Sequence, residues 1–230
     1  MDWQLFDEQW RLRHENDTLQ ALMEIFRDAA PDTASDEFHW RWRRARLAHF
    51  LAMQADEAKK ISEVVRLYSE GTAQAKRAVE INKFSVEGHF WQGVCALEAA
   101  RRKGPLALGA AYGTASKAVE QAMKIDEAYH FAGPVRVWAR IQHFKPLLLG
   151  GHLDRALESY IRARQIAPHN STTNLYYAEA LWADRQPKVA REICEQLIAA
   201  PDDPDWIWEQ ARDRRLAAKL LEEINRARDT

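Results

Sequence analysis

Small and apolar residues recur along this chain at helical spacing and end in a short pattern that repeats five times. The series Ala156, Tyr160 and Ala163 advances by four and then three residues. Such spacing places all three on one helix face, where they can pack on a preceding helix. The repeated pattern occupies residues 27–31, 78–82, 122–126, 163–168 and 197–201. Each copy predicts the end of the second helix of a helical hairpin.

The intervals between these ends describe the repeat. The equivalent end positions are Pro31, Lys83, Glu127, Pro168 and Pro201, which lie 52, 44, 41 and 33 residues apart. A tetratricopeptide unit spans about 34 residues, so only the last interval has ordinary length. Glycine and proline punctuate segments 101–113 and 145–151, which predicts that the extra residues form inserted loops. Such loops often lie on the binding face of a solenoid.

Helix starts agree with this division. Candidate N-caps lie at 32–36 and at Ser85. A further helix is predicted to open at Ser171 or Thr172, and a closing helix runs from Trp206 to about Arg228. With only 9 glycines and 8 prolines, the chain should be helical nearly throughout. We predict an all-α, tetratricopeptide-like α-α superhelix. It would be a right-handed solenoid of about four to five hairpins plus a C-terminal capping helix, forming one domain over residues 1–230.

Composition limits which classes of partner the chain can bind and which cellular compartment we expect. Lysine and arginine total 33 against 34 acids, so the chain has no global field to hold nucleic acid or an anionic membrane. Cys95 and Cys194 lack metal-ligand spacing and are expected to be buried thiols. No apolar stretch is long enough to span a membrane. Because Met1 is followed by an acid, we expect a cytoplasmic chain as written, or a periplasmic one if a signal or lipobox was removed.

Five longer sequence strings indicate a particular family among the tetratricopeptide-like proteins. They lie at residues 68–71, 75–82, 85–93, 133–140 and 201–206. In their order and spacing, over residues 5–221, they resemble the TRAP-transporter T-component family, with a weaker likeness to eukaryotic regulators of microtubule dynamics. The resemblance implies an exported helical solenoid that associates with a periplasmic solute-binding protein. It also implies a homotrimer that encloses apolar, ligand-sized cavities. This sequence departs from the family in showing no lipobox or signal segment.

Two arginines are the first candidate binding residues. Arg136 and Arg140 are four residues apart on one predicted helix face, after Gly133-Pro134, where proline suits a first helical turn. Two guanidiniums so placed could clamp a carboxylate or a phosphate. In the alternative interpretation they pair with nearby acids, such as Glu87, Asp126 or Glu127, and fix how neighbouring hairpins stack.

Aromatic residues supply the other candidates. His89 and Trp91 lie in a predicted first helix, where they could contact a ligand groove or be partly buried. Trp182, on a predicted helix with Tyr177, is the tryptophan that best suits a groove, whereas most of the nine tryptophans should be core. The run 40–46 interleaves arginine and tryptophan, a pattern typical of a nucleic-acid or anionic-lipid patch. Because the net charge is near neutral, we favour a solvated helix paired to acids.

Catalytic motifs are absent from the sequence: there is no nucleophile elbow, zinc helix, phosphate loop or nucleotide fingerprint. We therefore expect a binding protein and not an enzyme, with no cofactor and no metal. The leading hypothesis is a scaffold whose concave face binds a protein partner, first of all a solute-binding protein. A second hypothesis is a carrier of a small apolar or amphipathic ligand, covered by the apolar segment 106–112. A third is a cytosolic adaptor with another partner.

Overall fold

Helices are the regular secondary structure of the described residues. The computed structural model describes residues 2–27, 31, 33–146, 148 and 150–228, and within these it contains helices and no strand. They are α1 (Trp3–Trp10), α2 (Asn16–Glu24), α3 (Ala34–Glu57), α4 (Ile61–Ile81), α5 (Val86–Lys103), α6 (Pro105–Ile125), α7 (Tyr129–Phe144), α8 (Leu153–Ile166), α9 (Ser171–Ala183), α10 (Pro187–Ala199) and α11 (Ile207–Arg228). Neighbouring helices pack in chain order, which confirms the prediction of an all-α fold of solenoid type.

The helix starts follow local capping chemistry. Ser85 caps α5, because its side-chain Oγ accepts a hydrogen bond from the Gly88 backbone N–H at 3.3 Å. Within the predicted 32–36 range, Thr33 caps α3, and Asp32 lies outside the described residues. Helix α9 begins at Ser171, one of the two predicted first residues; its cap is Asn170, whose Oδ1 accepts from the Thr173 N–H at 3.0 Å.

The repeated pattern marks helix ends as predicted. Helices α4, α6, α8 and α10 end at Ile81, Ile125, Ile166 and Ala199. Residues 28–30 of the first copy lie outside the described residues. The closing helix α11 likewise agrees with its predicted range.

The predicted loop at 101–113 is wrong. Helix α5 continues to Lys103, Gly104 alone separates it from α6, and α6 begins at Pro105. Gly104 has a φ of 112°, a left-handed conformation that glycine adopts without steric cost. The extra residues therefore lengthen helices: α3 to α6 contain 18 to 24 residues, whereas α9 and α10 contain 13 each.

The second predicted loop, 145–151, does lie between two helices, α7 and α8. Its residues Leu147 and Leu149 are outside the described part of the chain.

The chain divides into two compact units, Met1–Glu127 and Ala128–Thr230. In the first, α3 to α6 pack as successive hairpins, and glycines allow their close approach. A Cβ on Gly71 would lie 2.7 Å from the Cys95 sulfur, and one on Gly93 would lie 2.6 Å from Cγ2 of Val119. These glycines belong to the strings that carry the family resemblance, so those strings encode helix packing. The prediction of a single domain stays a prediction.

In the second unit, α7 pairs with α8 and α9 pairs with α10, while α11 packs on both α9 and α10. A continuous core joins them, built from Tyr160, Leu175, Leu181, Ile193 and Ile224 among others. The first helices of successive hairpins, α7, α9 and α11, are neighbours, as in tetratricopeptide units. This arrangement brings α7 side chains onto α9.

Candidate functional site

Arg140 organises a partly exposed surface on α7 and α9. Its guanidinium donates to the Glu179 carboxylate, and its central carbon lies 3.9 Å from the Tyr176 ring centre and 4.3 Å from that of Phe144. Burial disfavours the charge, but Glu179 and the neighbouring tyrosines outweigh burial and raise the pKa of Arg140. We call Arg140, Phe144, Tyr176, Glu179 and Trp182 the α7–α9 surface.

Arg136, one helical turn before Arg140, has a different environment. Only 5% of the residue is exposed. Its Nη1 donates to the Phe131 carbonyl at 2.9 Å, to Asn170 Oδ1 at 3.2 Å and to Thr173 Oγ1 at 3.4 Å. All three acceptors are neutral, and burial lowers the pKa of Arg136 to about 10. Its hydrogen bonds join α7 to the start of α9, as the stacking interpretation expected, although through no acid.

The segment before Arg136 contains a left-handed turn that the sequence did not reveal. His130, Phe131 and Ala132 have φ values of 52°, 58° and 57°. This conformation costs roughly 1–2 kcal/mol per non-glycine residue. Right-handed helix resumes at Gly133-Pro134, which agrees with a proline in the first turn. The Trp206 ring centre lies 5.1 Å from those of both His130 and Phe131 and helps hold the turn.

A buried polar network lies beside this turn. Asp213, on α11, is fully buried and accepts from Ser171 Oγ at 2.7 Å and Thr172 Oγ1 at 2.6 Å, and from the Arg212 guanidinium. The Trp206 indole N–H donates to Thr172 Oγ1 at 3.2 Å. Sequence reasoning missed this network. The only signal for it was a run of three hydroxyl residues, 171–173, at the start of an otherwise apolar helix.

Two further candidates, His89 and Trp91, belong to the first unit. Trp91 is 2% exposed, and its ring centre is 5.3 Å from that of His49, so its side chain belongs to the core. His89 is half-buried, with Nε2 2.9 Å from the Lys83 carbonyl oxygen. That contact tethers the turn before α5.

The remaining candidates occupy different sides of α9. Tyr177 is 9% exposed and packs in the core near Tyr160, with the Arg164 guanidinium 5.0 Å from its ring centre. Trp182 is half-buried against the same core. The structure thus brings Arg136, Arg140, Tyr177 and Trp182 onto α7 and α9, with Trp182 and Arg140 the more accessible pair.

The arginines of run 40–46 are paired. Arg41 binds Glu37, Arg43 binds Asp7 and Arg44 binds Glu70. The Arg43 guanidinium carbon also lies 4.0 Å from the Trp42 ring centre. This arrangement is that of a helix paired to acids and aromatic rings, the second of the two interpretations of the run.

Within the described ranges, no three histidine, cysteine or acidic side chains are grouped as metal ligands. Cys95 and Cys194 are both buried, as expected. Among the helices described, none combines the length and apolar character needed to cross a membrane.

Helical hairpins that pack in chain order define an all-α protein of the tetratricopeptide-like solenoid class. Residues 28–224 match the family model of the TRAP transporter T-component, and the chain belongs to that family. The resemblance seen in the five strings is therefore confirmed. No curated protein matches the chain. The family is a non-catalytic transporter component, and membership supports a role in TRAP transport.

Proposed function

We propose that this protein is a scaffold that binds the solute-binding protein of a TRAP transporter through its α7–α9 surface. The proposal rests on one observation: in a T-component, the first helices of two hairpins carry a joined set of aromatic and charged side chains. Phe144 is 53% exposed, while Arg140 and Glu179 keep 20% and 29% of their side-chain area accessible. A partner can therefore reach them.

The composition of this surface suits a protein interface. Aromatic residues and arginine are enriched among the side chains that dominate binding energy. Here the ion pair with Glu179 and the two flanking rings already fix Arg140. Because less side-chain freedom is lost on association, pre-ordered groups bind at lower entropic cost. Trp91 and Tyr177 act from the core, as support for the helices, and His89 as a contact beside a turn.

The test is a binding titration between the full chain and the TRAP solute-binding protein of the same organism. Phe144→Ala and Trp182→Ala should each weaken binding about tenfold, because a hot-spot side chain contributes more than roughly 1.4 kcal/mol. Ile161→Ala is the matched control, since Ile161 is 45% exposed on α8 in the same unit. Absence of binding by the unmodified chain would refute the proposal, as would equal weakening by the control variant.

The carrier hypothesis stays a prediction, although the segment that motivated it is part of a helix and not an inserted loop. Segment 106–112 forms the beginning of α6, and Leu106 is 93% exposed on it, so this segment does not cover a ligand as a loop. The homotrimer, the cytosolic adaptor and the compartment stay predictions. Light scattering of the purified chain would check the trimer.

A further inference from the structure

A cleft of about 120 Å³ lies in the second unit, where the end of α8 and the start of α9 meet α10 and α11. Pockets that hold a drug-sized molecule measure about 300–1,000 Å³, so this cleft has room for one functional group or a small ion. Its polar lining consists of Arg164, His169, Ser171, Asn174, Gln196 and Gln210. The other lining residues are apolar, and none of the described residues that line the cleft is acidic.

Arg164 is the arginine of this cleft, and its neighbours fix its position. Its Nε donates to Asn174 Oδ1 at 2.8 Å, and its guanidinium carbon lies 5.0 Å from the Tyr177 ring centre. Asn174 is held in turn, because its Nδ2 donates to the carbonyls of Pro168 and Asn170 at 2.9 and 3.1 Å. Within the described residues, Nη1 and Nη2 of Arg164 have neither a hydrogen bond nor an acid. These two terminal nitrogens are therefore available to a ligand.

Two other lining side chains can donate into the cleft. Gln196 on α10 and His169 in the turn before α9 are exposed, and neither side chain has a hydrogen bond within the described chain. Gln210 cannot serve in this way, because its amide already bonds the Asp203 N–H and the Pro201 carbonyl, both at 2.8 Å. Available donors from α8, from the α8–α9 turn and from α10 thus surround one small volume.

Acids near the start of α11 act on other arginines. Asp213, which accepts from a hydroxyl of the cleft lining, and the buried Glu209 both act on Arg212. Asp202 binds Arg214. Because no acid within the described residues is paired with the arginine of the cleft, the lining offers a ligand positive charge and hydrogen-bond donors. Such a lining favours an anion, whose oxygens accept charge-assisted hydrogen bonds.

We propose that this cleft binds a phosphate group, supplied by inorganic phosphate or by a small phosphate monoester. The phosphate oxygens would accept from Nη1 and Nη2 of Arg164, from the His169 ring and from the Gln196 amide. A carboxylate presents two oxygens in one plane, whereas a phosphate presents oxygens in several directions, so donors from three segments favour phosphate. The site uses none of the residues of the α7–α9 surface.

The experiment is a nitrogen-15 NMR titration of the full chain with sodium phosphate, in a zwitterionic buffer with sodium chloride at constant ionic strength. We expect saturable shifts of the Arg164 guanidinium and Gln196 side-chain amide signals. Sodium acetate, the planar comparison anion, should bind at least about tenfold more weakly. Methyl phosphate distinguishes the two sources: binding of both phosphates supports a monoester as ligand, and binding of inorganic phosphate alone supports the free ion.

Three variants locate the site. Arg164→Gln should weaken phosphate binding about tenfold or more, because it removes the charge and both terminal donors. Arg155→Gln is the matched control: Arg155 is an exposed arginine on the same helix that does not line the cleft, and its loss should leave phosphate binding unchanged. Gln196→Ala, at an exposed position that keeps the fold, should weaken binding about threefold, which serves if Arg164→Gln does not fold.

Several outcomes would overturn the site. Unchanged Arg164 and Gln196 signals with phosphate would do so, as would acetate binding as tight as phosphate binding. Equal weakening by Arg155→Gln and Arg164→Gln would show a diffuse effect of surface charge and no cleft site. Phosphate binding that survives in both Arg164→Gln and Gln196→Ala would also place the anion elsewhere. Because the titration contains no solute-binding protein, failure of the partner experiment leaves its result intact.

Discussion

Replacing Gly93 by alanine tests whether the family strings encode helix packing. A Cβ at this position on α5 would lie 2.6 Å from Val119 Cγ2 and 3.3 Å from the Ala115 carbonyl oxygen. Val119 is fully buried on α6, so it has little room to move. Overpacking of this kind costs about 1–3 kcal/mol. Alanine also favours a helix over glycine by about 1 kcal/mol, which leaves a net loss of zero to about 2 kcal/mol.

Gly113→Ala is the matched control for this substitution. Gly113 lies on α6 in the same unit, and a Cβ there would meet nothing within 4 Å. It should gain only the helix preference and become more stable by about 0.5–1 kcal/mol. The difference between the two variants, about 1–3 kcal/mol, is then the cost of the contact with Val119.

The assay is urea unfolding of the full chain, followed by circular dichroism, with the midpoint and the slope of the transition compared. A lower midpoint for Gly93→Ala and a higher one for Gly113→Ala, at unchanged slope, is the expected result. Equal stabilisation by both alanines would refute the reasoning, because it would show that α5 and α6 do not approach closely at Gly93.

Three further substitutions probe other parts of the fold. Asp213→Ala removes the buried acid that pairs with Arg212 and accepts from Ser171 and Thr172, and should lower the free energy of unfolding by about 3–5 kcal/mol. Ser171→Ala, which removes one hydrogen bond to that acid, should cost only about 1 kcal/mol; equal losses in urea unfolding would contradict this. Burial and Arg140 lower the pKa of His143 from 6.5 to about 4, so between these two pH values only the unfolded chain takes up this proton. The free energy of unfolding should therefore fall as pH drops from 6.5 to about 4, and should fall less steeply in His143→Gln. The same slope in both proteins would show that His143 is exposed. Lys59, which follows α3, has a φ of 58°, a conformation that glycine adopts without steric cost. Lys59→Gly should therefore raise the free energy of unfolding by up to about 1 kcal/mol and raise the thermal midpoint. A lower midpoint would contradict this backbone conformation.

The helix ends could be predicted because they depend on local chemistry. The small residues before Ile125 and Ile166 recur at helical spacing, and capping by Ser85 needs only residues three positions apart. The predicted loop at 101–113 failed for a physical reason. Gly109 and Gly113 suggested a chain break, but Pro105 occupies the first turn of α6, where its missing N–H is no loss. Neither glycine lies at a close contact, so the helix accommodates both.

The candidate site could be predicted only in part. A spacing of four places Arg136 and Arg140 on one helix face, and the structure agrees. Their partners come from α9, more than thirty positions away, and include Asn170 and Glu179. No periodicity in the sequence specifies such contacts. The left-handed turn at 130–132 was equally unpredictable, because Trp206 packing and an Arg136 hydrogen bond, both made by the folded unit, hold it in place.

The two arginines show how one spacing serves two purposes. Arg140 has an acid, Glu179, and two flanking rings, so its charge is balanced and its position is fixed in a surface that a protein can reach. Arg136 is buried and donates from one nitrogen to three neutral acceptors, so its hydrogen bonds join α7 to the start of α9. An arginine that a partner can reach contributes to an interface, whereas a buried one stabilises the packing of its helices. Because the proposed partner surface contains Arg140 and not Arg136, Asn170→Asp should leave partner binding unchanged.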